Sequence, residues 1–262
     1  AQLVAQFGAN AKMESPRALA VGADGRLYVA DAAKGVVHLF DADGKRRSTW
    51  GERDLREPSD LAIGPDGTLY VLDAGLSCVV HFDAEGTIVG EYGKTAGFYA
   101  PRGLAVSPEG NMIVADTGSN RVVVLSPAGD TLFTIGAQGS GPGQFQQPFD
   151  VAIGPDGAIY AADTMFNKRV QVFGADGVLR AQWLLALMND SRPPAIVVDR
   201  DGRVFMTDSL RGRVWEYATP DAEPVWWTGG DLGRPLGLAL DSAGDVYLLD
   251  GDTKQIYHFK RP

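Results

Sequence analysis

The chain has 262 residues, 45% of them hydrophobic, with 33 glycines, 15 prolines and a formal net charge of −9. That apolar content is enough for a packed core, while no apolar run approaches the roughly 18 residues that a membrane-crossing helix needs. The net negative charge argues against nucleic acid as a partner, because phosphate binding needs a basic surface.

The chain opens on a short apolar stretch, Leu3-Val4-Ala5-Gln6-Phe7-Gly8. From Pro16 onward one unit is written six times. Each copy runs from a proline through a short apolar strand, an Asx- or Glu-Gly type turn and a second strand ending in aspartate. A polar loop, a third strand, another turn and a fourth strand follow. The leading prolines are Pro16, Pro58, Pro101, Pro148, Pro194 and Pro235, and the closing aspartates are Asp31, Asp73, Asp116, Asp163, Asp208 and Asp250. Proline to aspartate is fifteen residues in every copy except the fifth, which is one shorter. Turns recur at Asp24-Gly25, Asp66-Gly67, Glu109-Gly110, Asp156-Gly157, Asp201-Gly202 and Ala243-Gly244, dipeptides that supply positive φ at low steric cost.

Four short strands at a period in the forties make one blade of a β-propeller. The expected fold is therefore all-β: a six-bladed propeller with four antiparallel strands per blade, one domain over residues 1–262. The sixth copy stops after Tyr257-His258-Phe259, before its fourth strand. Leu3–Phe7 resembles Ile88–Tyr92, with Phe7 in the aromatic-before-glycine column of Trp50 and Tyr92. The first strand is thus expected to complete the last blade and remove an exposed edge.

Loops joining strand four to strand one, and strand two to strand three, share one face, the top. Bottom turns are acidic (Asp41, Asp43, Asp66, Asp83 and Asp221 among others), whereas arginines and lysines such as Arg17, Arg53, Arg56, Lys168 and Arg192 gather in the top loops. Most of this polarity follows from Asp-Gly turn chemistry; the functional reading is a top face that attracts an anionic or mixed-charge ligand. The top loops also vary most between copies, lengthening at Ala137–Gln147 and Leu184–Arg192. Phe98 and Phe145 fall in a column with Met13, Leu55 and Leu232 and read as packing residues. Tyr99, Phe149, Met165, Phe166 and Met188 fall in no column and offer an apolar groove beside the channel.

Residues just after each proline should ring the channel mouth: Arg17-Ala18, Ser59-Asp60, Arg102-Gly103, Phe149-Asp150, Ala195-Ile196 and Leu236-Gly237. The two arginines and two aspartates among them either fix a polar ligand or pair with each other and plug the channel. The only histidines, His38, His81 and His258, are read as one third-strand column. Third strands sit about two spacings of ~4.8 Å out from the innermost one, too far for equivalent residues of neighbouring blades to share a metal ion. The six closing aspartates are expected to cap the loop that follows them. Cys78 is the only cysteine and reads as a small packed hydrophobe, and Asn189-Asp190-Ser191 is a single glycosylation sequon.

Gly143-Gln144-Phe145-Gln146-Gln147-Pro148, Ile159-Tyr160-Ala161-Ala162-Asp163-Thr164 and Asn167-Lys168-Arg169-Val170-Gln171-Val172-Phe173 resemble the segments of an NHL repeat. The resemblance extends over all six copies, with the Asn/Arg element clearest in copies three and four. It implies a six-bladed propeller but not one activity, since NHL propellers serve as sensors, as RNA- or protein-binding modules and as an amidating lyase. The lyases place metal-binding histidines directly after the repeat proline, where this chain has Arg17, Ser59, Arg102, Phe149, Ala195 and Leu236.

The reading that results is a non-catalytic binding module, a monomer as a domain. Its top face takes a protein, peptide or small polar ligand through Arg17, Asp60, Tyr99, Arg102, Phe149, Asp150, Met165 and Phe166, with no cofactor. The alternative is a metal-assisted hydrolase or lyase acting through Asp60 and Asp150 at the channel mouth. A chain beginning Ala1-Gln2 fits either a signal-cleaved secreted or periplasmic protein or a domain cut from a longer one.

Overall fold

The computed structural model describes residues 1–185, 194–219, 222–227 and 232–261. Its strands form six separate four-stranded antiparallel sheets, five of them built from consecutive strands. The sixth joins Gln2–Phe7 to the edge of Pro235–Leu240, Val246–Asp250 and Gln255–Lys260. Leu3 pairs with Phe259 and Phe7 with Ile256, so the opening residues complete the last blade as expected. Met188, Asn189-Asp190-Ser191, Arg192 and Asp221 lie outside the described residues.

Burial explains the strand sequences. Second and third strands such as Leu27–Asp31 and Val36–Phe40 are buried at every residue, because both faces pack against neighbouring blades. They therefore read as continuous apolar runs. Outermost strands such as Ile88–Tyr92 alternate with solvent. The bottom-turn glycines Gly25, Gly67, Gly110, Gly157, Gly202 and Gly244 hold φ between 76 and 85°, where an L side chain is strained.

The hydrophobic core is divided among six clusters, each shared by two adjacent blades. An aromatic staple reinforces the outer rim. A Cβ on Gly86 would strike the Trp50 ring, one on Gly129 the Tyr92 ring and one on Gly44 the Phe7 ring. Each aromatic thus lies flat on a glycine turn of the next blade, and Phe7 makes the closing strand part of the series. Met13, Leu55, Phe98, Phe145 and Leu232 are all buried, as their column predicts.

Three expectations need correcting. The closing aspartates, fully buried in five blades and 2% exposed at Asp208, cap the following loop as expected, among the described residues, only at Asp73, Asp208 and Asp250, and in five blades they also or instead cap the loop before the proline. Asp31 accepts the N–H groups of Glu14 and Ser15, Asp116 that of Tyr99, and Asp163 that of Gln146. Asp73 accepts Arg56 and Glu57 from the preceding loop and Leu76 from the following one. Burial alone would push the Asp31 carboxyl up, but His38 and the two N–H groups outweigh it and hold its pKa at about 2.

Secondly, the fifth copy is not short. Ile196 pairs with Met206 as Leu104 pairs with Val114, so Ala195 stands where Gly103 and Asp150 stand. The column proline is then residue 193, fifteen before Asp208 like the others.

Thirdly, the histidines do not share a column. His38 pairs with Val29, two residues before its aspartate, whereas His81 and His258 pair with Tyr70 and Tyr247, three before theirs. One residue of offset turns a side chain to the other face of its sheet. His38 meets Asp31, His81 meets Thr68 and stacks on Tyr70, and His258 stacks on Tyr247 beside Asp245. Each imidazole has its own surroundings, and the three converge on no common point.

Candidate functional site

The six innermost strands surround a cavity of about 310 Å³ that opens among the top loops. Arg17, Ser59, Arg102 and Phe149 line its mouth, and Asp60 and Asp150 stand one residue deeper. Val21, Ile63, Val106, Ile153, Val198 and Leu240, one from each strand just before the bottom turn, form a half-buried aliphatic collar at its base. The cup so formed has polar groups at its upper end and an open ring of aliphatic side chains at its lower end.

Asp60 and Asp150 come from blades two and four, yet they meet. Blade three contributes Gly103 between them, where a Cβ would lie 2.6 Å from the Asp150 Cα and 2.7 Å from its Oδ1. The absent side chain is what lets the carboxyls approach. Each uses its oxygens in the same way. Asp60 Oδ1 accepts the N–H of Leu61 and Oδ2 that of Leu104 in the next blade. Asp150 Oδ1 accepts the N–H of Val151 and Oδ2 that of Ile196 in the next blade. The pair thus ties four innermost strands together while facing the cup.

Burial pushes both carboxyls up. Asp60 rises further because Asp150 is charged beside it and the two side chains hydrogen-bond, and Asp150 rises to about 7. One proton is shared across the pair near neutral pH, leaving a single negative charge on it.

The pH consequence has a definite sign. Unfolded aspartates ionise near pH 4, while folded Asp150 holds its proton to about 7 and Asp60, raised further by the Asp150 charge, keeps its own after Asp150 has ionised. The pair's stabilising contribution is therefore complete below about pH 4 and is lost as pH rises through 7. Urea titrations at pH 4.5 and 7.5 should show a loss on the order of 2 kcal/mol, screened by solvent in the cup. Asp150→Asn should be less stable overall, because its amide replaces one acceptor, but it should flatten that slope. An unchanged slope would show that the pair does not titrate as described.

The arginines and aspartates of the mouth do not pair with one another, so the plugged-channel reading fails. Arg102 reaches Glu57, Nη1 to Oε1 at 3.3 Å. Arg17 is exposed and has no ion-pair or hydrogen-bond partner among the described residues. Arg53 and Arg56, on the top loop of blade two, are likewise exposed with unpaired guanidinium groups.

The predicted contact residues fall into two groups. Arg17, Asp60, Arg102, Phe149 and Asp150 share the cup. Tyr99, Met165 and Phe166 lie outside it on the top loops of blades three and four, Tyr99 at 70% and Phe166 at 59% exposure. The Tyr99 ring rests over Gly118 of its own blade, and Asn167 ties the Phe166 loop to the Gly139 carbonyl and to Asp163. Sequence reasoning places Gly103 at the mouth but does not foresee that it lets Asp60 and Asp150 meet, and it does not single out the aliphatic collar. The collar was visible as a column of large aliphatics before each bottom turn.

A second group, Asp241, Asp245 and His258, places one potential ligand atom of each within 4.8 Å of the others at the base of blade six. Asp241 Oδ1 caps the N–H groups of Ala243 and Asp245, and Asp245 Oδ1 accepts that of Arg261. These carboxylates hold the turn together.

Residues 98–125, from the lead-in of blade three to the end of its third strand, match the NHL repeat model. No curated protein matches the chain in sequence. Among solved structures it is similar to a streptogramin B lyase, at 13% identity over 98% of this chain and 96% of that one, with a TM-score of 0.73. A gluconolactonase from Xanthomonas campestris is similar at 18% identity over 97% and 89%, TM-score 0.76. A chain of a nidogen/laminin complex is similar at 16% identity over 86% and 84%, TM-score 0.66. Identities this low establish a shared fold and no shared activity. With that repeat match set in a closed ring of six four-stranded blades, the chain is an NHL-repeat β-propeller.

Proposed function

We propose that the protein is a binding module whose ligand enters from the top face and is held at the mouth of the central cup. One observation carries this reading: Arg17 stands exposed, with no partner among the described residues, over a cavity whose wall is the Asp60–Asp150 pair. A guanidinium with no internal partner is available for an external acid group, and the forked geometry suits a carboxylate. Tyr99, Met165 and Phe166 extend the surface for a larger protein or peptide ligand.

A panel of small acids, zwitterions and peptides, screened by ligand-observed NMR, tests the reading. Arg17→Ala should weaken any ligand found about 10- to 100-fold, the worth of a charge-assisted hydrogen bond, without lowering the melting temperature. Binding unaffected by Arg17→Ala would reject the cup mouth as the site.

A second reading, a metal-assisted hydrolase or lyase, is favoured by the meeting of Asp60 and Asp150 within the channel. Each carboxyl already accepts two backbone N–H groups, and an ion would have to displace the proton held between them to reach the remaining lone pairs. Elemental analysis of the purified protein separates the readings: a stoichiometric ion that Asp150→Ala removes would favour the enzyme.

A further inference from the structure

Top to bottom, the cup presents three chemistries in a fixed order. Arg17 offers at the rim a cation with no partner among the described residues, the Asp60–Asp150 pair offers carboxyl oxygens on the wall, and the collar offers aliphatic surface at the lower end. The remaining positions level with the pair are Ala18, Gly103, Ala195 and Gly237, so little side-chain volume fills the cup there. Asp60 and Ile63 are three residues apart on one strand, which sets the pair about 10 Å above the collar. At 310 Å³ the space suits a small molecule and is too narrow for a folded partner.

We infer that the cup takes a free α-amino acid with an aliphatic side chain, its carboxylate on Arg17, its ammonium on Asp60 and Asp150, and its side chain directed at the collar. The inference rests on the top-face reading above and names the ligand class for it. The match is one of order as well as of kind. An α-amino acid carries its two charges on one carbon, as rim and wall are one residue apart, and its apolar part points away from both. The ammonium finds acceptors it does not have to share with a competing cation, because Arg102 is turned to Glu57. A dicarboxylic acid would set a second negative charge against the pair. A diamine would leave Arg17 unmet.

The test is calorimetry on the intact protein with L-alanine, L-norvaline, L-norleucine and L-2-aminooctanoate. Affinity should rise about fourfold per added methylene until the chain fills the collar. N-acetyl-L-norleucine and L-norleucinamide, each lacking one charge, should bind at least tenfold more weakly. Arg17→Ala should erase the difference between the acid and the amide, and Ile63→Ser should flatten the chain-length series while leaving alanine unchanged. No binding of any of the four amino acids at 10 mM, or equal binding of the acetylated compound, would overturn the inference. If another ligand class binds instead and Arg17→Ala weakens it, only the ligand class is wrong. If the amino acids bind and Arg17→Ala does nothing, the top-face reading falls with it.

Discussion

Deleting residues 1–7 should abolish cooperative folding, an effect larger than any single substitution in the ring. Those residues supply the outermost strand of blade six and the Phe7 ring that lies on the Gly44 turn of blade one. Without them, Gln255–Lys260 becomes an unpaired edge whose Ile256, Tyr257 and Phe259 are at present buried. Such an edge recruits strands from other chains. The truncated protein should therefore show no sharp calorimetric transition and should elute as concentration-dependent oligomers. A synthetic peptide of residues 1–8, added in excess, should restore part of the transition, since pairing needs no covalent link. Phe7→Ala keeps the strand and removes only the staple, so it should cost about 2 kcal/mol of unfolding free energy for a half-buried aromatic. A truncated protein that stays monomeric with the full-length melting temperature would show that the ring does not depend on its closure.

Features that repeat were legible in the sequence, and features produced by one residue's displacement were not. The strand pattern, the closing strand and the buried Met13-Leu55-Phe98 column all follow from periodicity, because each blade solves the same packing problem. The histidines were misaligned because Val36-Val37-His38 and Val79-Val80-His81 read alike, while strand pairing sets His38 one position earlier and on the opposite face. At the fifth blade a Pro-Pro dipeptide offers two candidates for one column, and only the pairing of Ile196 with Met206 decides between them. Asp60 and Asp150 were each legible as channel residues. Their meeting was not, because it depends on an absence: blade three has no side chain at Gly103 to separate them. The direction in which the closing aspartates reach was hidden for a related reason. The partners before the proline lie 16 or 17 residues back in sequence, beyond the reach of turn rules, whereas those in the following loop lie two or three residues ahead.

Those aspartates set up the second large effect. Asp250→Ala should cost about 4 kcal/mol, whereas Asp252→Ala, two residues away, should cost less than about 0.5. Asp250 is fully buried, and its carboxylate accepts four backbone N–H groups: Gly233 and Arg234 on Oδ2, Asp252 and Thr253 on Oδ1. Alanine would take the shared acceptor from four donors at once, and each unsatisfied group costs about 1–3 kcal/mol before water and loop relaxation offset part of it. Asp252 makes an ion pair with Arg234 at 3.0 Å, but its side chain is 58% exposed, and solvent replaces most of what the pair contributes. Asp250→Asn tests the need for two acceptor oxygens at nearly unchanged side-chain shape. Its amide keeps one oxygen and turns an NH₂ toward two of the four donors, so it should cost nearly as much as alanine. Were the hydrogen bonds incidental, asparagine and alanine would both be mild, and urea unfolding of the three variants would show midpoints close to wild type. The aspartate ends the second strand of every blade because a single buried carboxylate fastens a loop that has no strand to fasten it. In blade six the fastened residues run up to Pro235, the start of an innermost strand, so the same clip positions one wall of the cup.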